Sequence, residues 1–166
     1  MQNSSLLLNP VSENDLNQIA ELAKTIWQKH YVPIIGQEQV DYMLQKIYNY
    51  DSLLDQIKNK NQNYYFIQSN NTTIGFLSVT PEENNCWMLN KFYLLEETAG
   101  KGIGSIILEK LKNSIKPKKI KLTVNRNNIK SINFYFKNGF RIDSTAIFDI
   151  GNGYVMDDFI MVWEQG

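Results

Sequence analysis

The chain is poor in several residue types and patterns, and each shortage excludes a class of protein. Its 166 residues include one cysteine, Cys86, so no internal disulfide can form and a reducing compartment is expected. No apolar run approaches the ~18 residues of a membrane span, and the N-terminus lacks the basic-then-apolar order of a signal peptide. We therefore expect a soluble, cytoplasmic protein that does not bind a membrane.

Net charge is also absent, but the two signs are segregated along the chain. From Lys101 to Arg141 there are eleven Lys or Arg residues and one acid, Glu109, whereas the last 25 residues carry five acids and no Lys or Arg. A basic segment of this kind suits a polyanion and the acidic remainder suits a cation, although solvated helix faces give similar clusters. Nucleic acid is not expected, because the protein as a whole is not basic.

What the chain does contain is enough apolar surface for one folded domain. Apolar residues make up 43% and aromatic residues 12%, which is typical of a folded globule. Apolar spacing predicts the following order: strand 6–8, helix 12–30 capped by Ser12, helix 37–48, a shorter helix capped by Asp51, strands 64–67, 73–79 and 87–95, helix 103–115, strand 119–125, helix 128–137, and strands 140–150 and 154–163. The predicted class is α/β (α+β), a single domain over residues 1–166 with a mixed central sheet of about seven strands flanked by helices.

A glycine-rich loop joins a predicted strand to a predicted helix. Residues 98–104 read Thr-Ala-Gly-Lys-Gly-Ile-Gly, and no Ser, Thr, Asp or Asn stands immediately before the helix to cap it. Free backbone N–H groups at the positive end of a helix dipole suit a phosphate. A tight turn that needs flexible residues is the alternative. Neither the Walker pattern nor G-x-G-x-x-G is present, so the loop predicts a phosphate without identifying it.

A second motif makes the prediction more specific. Residues 128–140 read Asn-Ile-Lys-Ser-Ile-Asn-Phe-Tyr-Phe-Lys-Asn-Gly-Phe. Together with the loop, this segment resembles the GCN5-related N-acetyltransferase (GNAT) family, whose motifs are a Q/R-x-x-G-x-G/A loop and an N-x-x-A-x-x-F-Y-x-x-x-G-F helix. The matching positions are Gly102, Gly104, Asn128, Phe134, Tyr135, Gly139 and Phe140, with Ser131 in place of the alanine. Residues 35–44 and 151–161 are similar to a bacterial subgroup likened to polyamine and diamine acetyltransferases.

The resemblance implies acetyl-CoA as co-substrate and no metal. Its pyrophosphate is expected at Ala99, Gly100, Lys101, Gly102, Ile103, Gly104 and Ser105, and its pantetheine arm along Phe92, Tyr93 and Leu94. Asn128 is expected to hydrogen-bond the arm, although capping the helix is an alternative role. Lys101, Lys130 and Lys137 are candidates for the 3′-phosphate. Ala99 stands where the family usually has Gln or Arg, so one side-chain contact is lost and weaker cofactor binding is expected.

The reaction that the resemblance implies is direct attack of a primary amine on the thioester. Tyr135 is the family's general acid, with a core aromatic as its alternative role, and backbone N–H groups near Leu94 would stabilise the oxyanion. The base is left unassigned. Asn90 occupies the strand position where relatives often have Glu, and Glu96, Glu97, His30, Asp157 and Asp158 are the other groups considered.

The acceptor is expected to be a small cationic amine such as a polyamine. The candidate residues for binding it are Trp27, Tyr31, Asp41, Tyr42 and Asp157. Trp27 and Tyr42 also fit a core role, since they lie on or beside apolar helix stripes. A non-catalytic module that binds acetyl-CoA, and an enzyme that acetylates protein amines, are the alternative functions. A homodimer is a possible assembly.

Overall fold

A computed structural model describes residues 5–166, which contain seven strands, six α-helices and three short 3-10 turns. The strands are β1 (Leu6–Pro10), β2 (Asn63–Ser69), β3 (Thr72–Pro81), β4 (Cys86–Leu94), β5 (Lys119–Asn125), β6 (Arg141–Gly151) and β7 (Tyr154–Glu164). The helices are α1 (Leu16–His30), α2 (Val32–Ile35), α3 (Gln37–Tyr48), α4 (Tyr50–Lys58), α5 (Ile103–Ile115) and α6 (Ile129–Lys137).

Hydrogen bonds join the strands into one sheet in the order β1-β2-β3-β4-β5-β7-β6. The β4–β5 pair is parallel and runs from Cys86↔Lys119 to Met88↔Lys121, whereas the β1–β2, β2–β3, β5–β7 and β6–β7 pairs are antiparallel. The predicted mixed α+β sheet of seven strands is therefore confirmed.

The chain divides into two compact units, and β4 contributes to both of them. The first unit comprises residues up to Thr80 together with Lys91–Lys116, and the second comprises Pro81–Asn90 and Pro117–Gly166. This division does not test the prediction of one acetyltransferase domain over residues 1–166, which stays a prediction. No helix among residues 5–166 is both long enough and apolar enough to cross a membrane.

In the first unit, α1 packs against α3 and α4, and α5 contacts β1. Leu16, Ile19 and Ala23 on α1 are fully buried, as the apolar spacing predicts. Ser12 and Asp15 form a capping box before α1, in which the Ser12 N–H donates to the Asp15 carboxylate at 2.8 Å. The core of this unit includes the following residues: Leu16, Ile19, Ala23, Val40, Leu53, Ile67, Phe76, Leu77, Ile107 and Leu111.

One local prediction for the first unit is wrong, and one short helix was not predicted. Asn49, and not Asp51, caps α4, because the Asn49 side chain accepts a hydrogen bond from the Ser52 N–H at 2.8 Å. Helix α1 ends at His30 as predicted, and the short helix α2 that follows it was not predicted. Pro33 lies in the first turn of α2. Proline is tolerated there because the N–H groups of the first turn make no hydrogen bond within the helix.

In the second unit, β5 and β7 align over seven positions, from Lys119↔Glu164 to Asn125↔Asp158. Helix α6 ends as predicted, with Gly139 in the left-handed region at φ +86° and the ring of Trp163 beside it. The apolar core of this unit includes Ile120, Leu122, Ile132, Met161 and Val162. The end of β5 and the start of α6 are thus held close together by a short link, residues 126–128.

Candidate functional site

The glycine loop gives the start of α5 no side-chain cap at its N-cap position. Gly102 occupies that position at φ +73° and, as a glycine, has no side chain that could accept a hydrogen bond from the first turn. A Cβ added to Gly102 would meet no atom within 4 Å, so the space beside the loop is open. Ala99 and Lys101 are exposed, and Ser105 is half-buried. Because the first N–H groups of a helix need acceptors, this terminus is suited to an anion.

Gly75, on β3, is a residue that the sequence analysis missed. A Cβ at this position would lie 2.1 Å from the carbonyl oxygen of Tyr93 and 3.0 Å from the Cα of Leu94. Only glycine allows the β4 backbone to approach this closely, and the Leu95 N–H then donates to the Ile74 carbonyl at 2.8 Å. A glycine inside an apolar strand pattern is the signal that would have found it.

Two aromatic residues, Trp27 on α1 and Tyr31 directly after it, lie against the predicted cofactor strand. The Trp27 ring lies 4.5 Å from the ring of Tyr31 and 5.9 Å from the ring of Tyr93. Trp27 is 3% exposed, so it is a core residue, whereas Tyr31 is half-buried. Of the predicted acceptor residues, the structure therefore places Trp27 and Tyr31 beside Tyr93, one of the three residues predicted to flank the pantetheine arm.

The other two predicted acceptor residues of this unit already have partners. Asp41 is exposed, and its carboxylate accepts hydrogen bonds from Gln28 at 3.2 Å and from Gln37 at 2.8 Å. Tyr42 is half-buried, and the ammonium of Lys46 lies 5.6 Å from its ring. An incoming cation would therefore compete with protein groups at both residues.

A half-buried lysine on β4, whose ammonium group is buried, was also missed. The Lys91 ammonium donates to the Oε1 atoms of Gln56 at 2.8 Å and Gln62 at 3.0 Å, and it lies 5.2 Å from the ring of Tyr64. Lys91 has no ion pair with an acid in the described part of the chain. Burial, with a further contribution from the charge of Lys60, lowers the pKa of Lys91 to about 7.

Helix α6 carries the predicted acid and the predicted amide contact. Tyr135 is 8% exposed, with its ring 5.2 Å from Phe134 and 5.3 Å from Phe140. Asn128 is 1% exposed, and its side chain caps α6 by accepting the Ser131 N–H at 3.3 Å. The capping role that was weighed for Asn128 is therefore present. Lys137 is exposed.

Two neighbouring acids on β7 have different environments. The Asp157 carboxylate forms an ion pair with the Arg126 guanidinium at 2.8 Å, and the backbone N–H of Arg126 donates to the backbone carbonyl of Asp157 at 3.0 Å. Asp158 is 4% exposed and has no such pairing. Burial and the adjacent charge of Asp157 raise the pKa of Asp158 to about 6, against a lowering effect of a hydrogen bond from Thr123.

The predicted residues thus fall into two sets. The first unit contains Trp27, Tyr31, Asp41, Tyr42, Phe92, Tyr93, Leu94 and residues 99–105. The second unit contains Asn128, Tyr135, Lys137 and Asp157. Among residues 5–166, no group of three or more His, Cys, Asp or Glu side chains is arranged to hold a metal ion.

Comparison with known proteins gives the family and its relatives. The model of the acetyltransferase (GNAT) family matches residues 18–140. The chain is 28% identical over 160 residues to a spermidine N(1)-acetyltransferase from Thermoplasma acidophilum, covering 92% of this chain and 96% of that protein.

Solved structures give the same result. A PaiA N-acetyltransferase from Thermoplasma acidophilum, in complex with coenzyme A, matches with a TM-score of 0.80 and 26% identity, over 97% of this chain and 99% of that one. A GCN5-related N-acetyltransferase from Rhodopseudomonas palustris has the same fold, with a TM-score of 0.76 and 15% identity, over 99% of this chain and 98% of that one.

Proposed function

This chain belongs to the acetyltransferase (GNAT) family, and from that premise we propose that it acetylates a small cationic amine of the polyamine class by direct attack on acetyl-CoA. It is an N-acetyltransferase that uses acetyl-CoA as co-substrate. The proposal of the acceptor class rests above all on the similarity to the Thermoplasma spermidine acetyltransferase, which extends over 92% of this chain.

The described residues fit acetyl-CoA at the glycine loop. The uncapped N-terminus of α5 and the open space beside Gly102 suit the pyrophosphate. The exposed ammonium of Lys101 adds positive charge within the same loop. Ala99 offers no side-chain hydrogen bond there, so the backbone N–H groups carry most of the binding.

The charge distribution supports a cationic acceptor. The first hundred residues contain eleven acids and six lysines, and all the charged residues after Arg141 are acids. A surface with excess negative charge attracts polyamines and raises their local concentration. Tyr31, half-buried beside Trp27, offers an aromatic face of the kind that binds ammonium groups.

Tyr135 is the group that we assign to protonate the leaving thiolate. Acetyl-CoA supplies the acetyl group as a thioester, which a neutral amine attacks at the carbonyl carbon. The ring of Tyr135 packs edge-on against the rings of Phe134 and Phe140, and this packing restricts the orientations that the Tyr135 side chain can take. Backbone N–H groups near Leu94 are assigned to the oxyanion.

An acceptor panel tests the proposed function. Purified protein is mixed with acetyl-CoA and with spermidine, spermine, putrescine, amino acids, an aminoglycoside or lysine-containing peptides, and the release of coenzyme A thiol is followed. We expect the highest kcat/KM with a polyamine. A preference for the peptides would instead support acetylation of protein amines, and equal rates with neutral and cationic amines would contradict a cationic acceptor.

A further inference from the structure

Asp158 is the buried carboxylate of β7 that the protein leaves incompletely bonded. It is 4% exposed, and its Oδ1 atom has no hydrogen-bond partner among residues 5–166. Buried polar atoms are normally hydrogen-bonded, and an orphaned carboxylate oxygen is costly to keep. A buried group of this kind within β7 needs an explanation other than stability.

The acid next to it shows the contrast. The Asp157 Oδ1 atom also has no hydrogen bond among the described residues, but it lies 2.8 Å from a guanidinium nitrogen of Arg126, which is its ionic partner. The Arg126 guanidinium also lies 5.3 Å from the ring of Phe159. The ion pairs of residues 5–166 include none with Asp158. The two adjacent acids therefore differ in their electrostatic surroundings, since Asp157 has a cationic partner and Asp158 has none within that range.

Strand register places Asp158 at the carboxyl end of β5. It is paired with Asn125, the last residue of that strand, and paired residues in a sheet share a face. The Asn125 carbonyl accepts the N–H of Asn128 at 2.9 Å, and Asn128 begins the helix that carries Tyr135. The carboxyl ends of parallel strands are where α/β sheets bind ligands.

We propose that Asp158 is the general base that takes the proton from the acceptor's ammonium group before attack. This inference rests on the proposed function and adds a residue to it. One ammonium proton moves to the Asp158 carboxylate and later to solvent, and the neutral nitrogen forms the C–N bond to the thioester carbonyl. As the C–S bond breaks, Tyr135 protonates the sulfur and recovers a proton from the second N–H of the adduct.

The electrostatic surroundings of Asp158 suit this task. Asp157 is the acid beside it on β7, with Arg126 as that acid's counter-ion, and Ala146 faces it from β6. On β5, Thr123 hydrogen-bonds the carboxylate, and Lys121, two residues further along, is already paired with Glu82 at 2.7 Å. The pKa of about 6 leaves a carboxylate at neutral pH that is more basic than an ordinary aspartate.

The test compares Asp158→Asn with the wild type and with Asp143→Asn, the same change at an exposed residue of β6. The probes are acetyl-CoA and spermidine, and kcat/KM is measured as a function of pH. We expect a roughly hundredfold or greater loss in D158N at neutral pH, with an unchanged KM for acetyl-CoA and wild-type rates in D143N. In the wild type, kcat/KM should decrease as the pH is lowered through a pKa near 6. In D158N the residual kcat/KM should instead rise about tenfold per pH unit, because it depends only on the fraction of spermidine that is already neutral.

Thermal unfolding separates this role from a structural one. D158N should melt at or above the wild-type temperature at pH 8, because it removes a buried charge, whereas a structural carboxylate would lower the melting temperature when replaced. If D158N does not fold, the pH dependence of the wild-type kcat/KM provides the test. That value is first corrected for the fraction of spermidine that is neutral at each pH. If the corrected value then shows no ionisation between about pH 5 and about pH 7, the inference is overturned. D158N activity within about twofold of wild type at every pH also overturns it. A wild-type protein that releases no coenzyme A with any amine contradicts the proposed function itself.

Discussion

Tyr135 tests catalysis apart from packing, because its ring and its hydroxyl have separable roles. The ring packs between Phe134 and Phe140, and Tyr135→Phe keeps that packing while removing the hydroxyl. We expect kcat to fall roughly a hundredfold or more, with an unchanged dissociation constant for coenzyme A. Tyr50→Phe, at an exposed tyrosine on α4, is the matched control and should leave kcat unchanged. A Y135F enzyme with wild-type kcat would remove Tyr135 from the mechanism.

Lys91 predicts a dependence of stability on pH. Its pKa is about 7 in the folded protein, below the value of an unfolded lysine, so the unfolded state binds more protons between about pH 7 and about pH 10. The free energy of unfolding therefore rises with pH through that window, and the full penalty of the buried ammonium is present below it.

Lys91→Met should relieve this penalty. Gln56 would keep its hydrogen bond from the Tyr64 hydroxyl, and Gln62 would keep the one from Ser78, so neither amide oxygen is orphaned. We expect K91M to gain about 1–3 kcal/mol at pH 6 and less at pH 9, measured by urea unfolding. Lys24→Met, at an exposed position of α1, is the control. A K91M protein that is less stable than wild type at pH 6 would show that the ammonium's hydrogen bonds outweigh its burial.

At the level of secondary-structure elements, the approach of β3 to β4 depends on Gly75. Gly75→Ala would place a methyl carbon 2.1 Å from the Tyr93 carbonyl oxygen, which is backbone and can move only with its strand. We expect a loss of about 1–3 kcal/mol in the free energy of unfolding. A raised KM for acetyl-CoA should accompany it, because the shifted strand is the one assigned to the pantetheine arm. An unchanged KM in a destabilised G75A would contradict that assignment.

Helices and strands with a regular apolar pattern could be predicted from the sequence, because burial of one face alone sets the pattern. Leu16, Ile19 and Ala23 recur at helical spacing along α1 and are buried. Ile120, Leu122 and Val124 alternate along β5 and are also buried. The end of α6 at Gly139 was predictable for a local reason, since glycine tolerates positive φ.

Features that depend on distant contacts could not be predicted. Gly75 is required by its contact with the β4 backbone at Tyr93, almost twenty residues later in the sequence. The Lys91 ammonium is bound by Gln56 and Gln62, which also lie far from it in the sequence. Asp157 and Asp158 were considered together as bases. Burial and the position of Arg126 separate them, because Asp158 is buried and Arg126 pairs with Asp157 instead of with Asp158.

Across the whole molecule, the basic segment 101–141 predicts how salt affects cofactor binding. Lys101, Lys130 and Lys137 of this segment are exposed, and they are the candidates for contact with the phosphates of coenzyme A. Coenzyme A affinity should therefore fall as the salt concentration rises. The fall should be steeper than for dephospho-coenzyme A, which lacks the 3′-phosphate. Identical salt dependence for the two ligands, measured by isothermal titration calorimetry, would contradict a lysine site for the 3′-phosphate.

The central claim is that acetyl passes directly from acetyl-CoA to a polyamine. Carbon-13-labelled acetyl-CoA and spermidine are incubated with the wild-type protein, and the products are followed by NMR. We expect labelled N-acetylspermidine to appear in step with free coenzyme A, with no label on the protein. Firm binding of acetyl-CoA with no labelled amide from spermidine or any other polyamine would contradict the account.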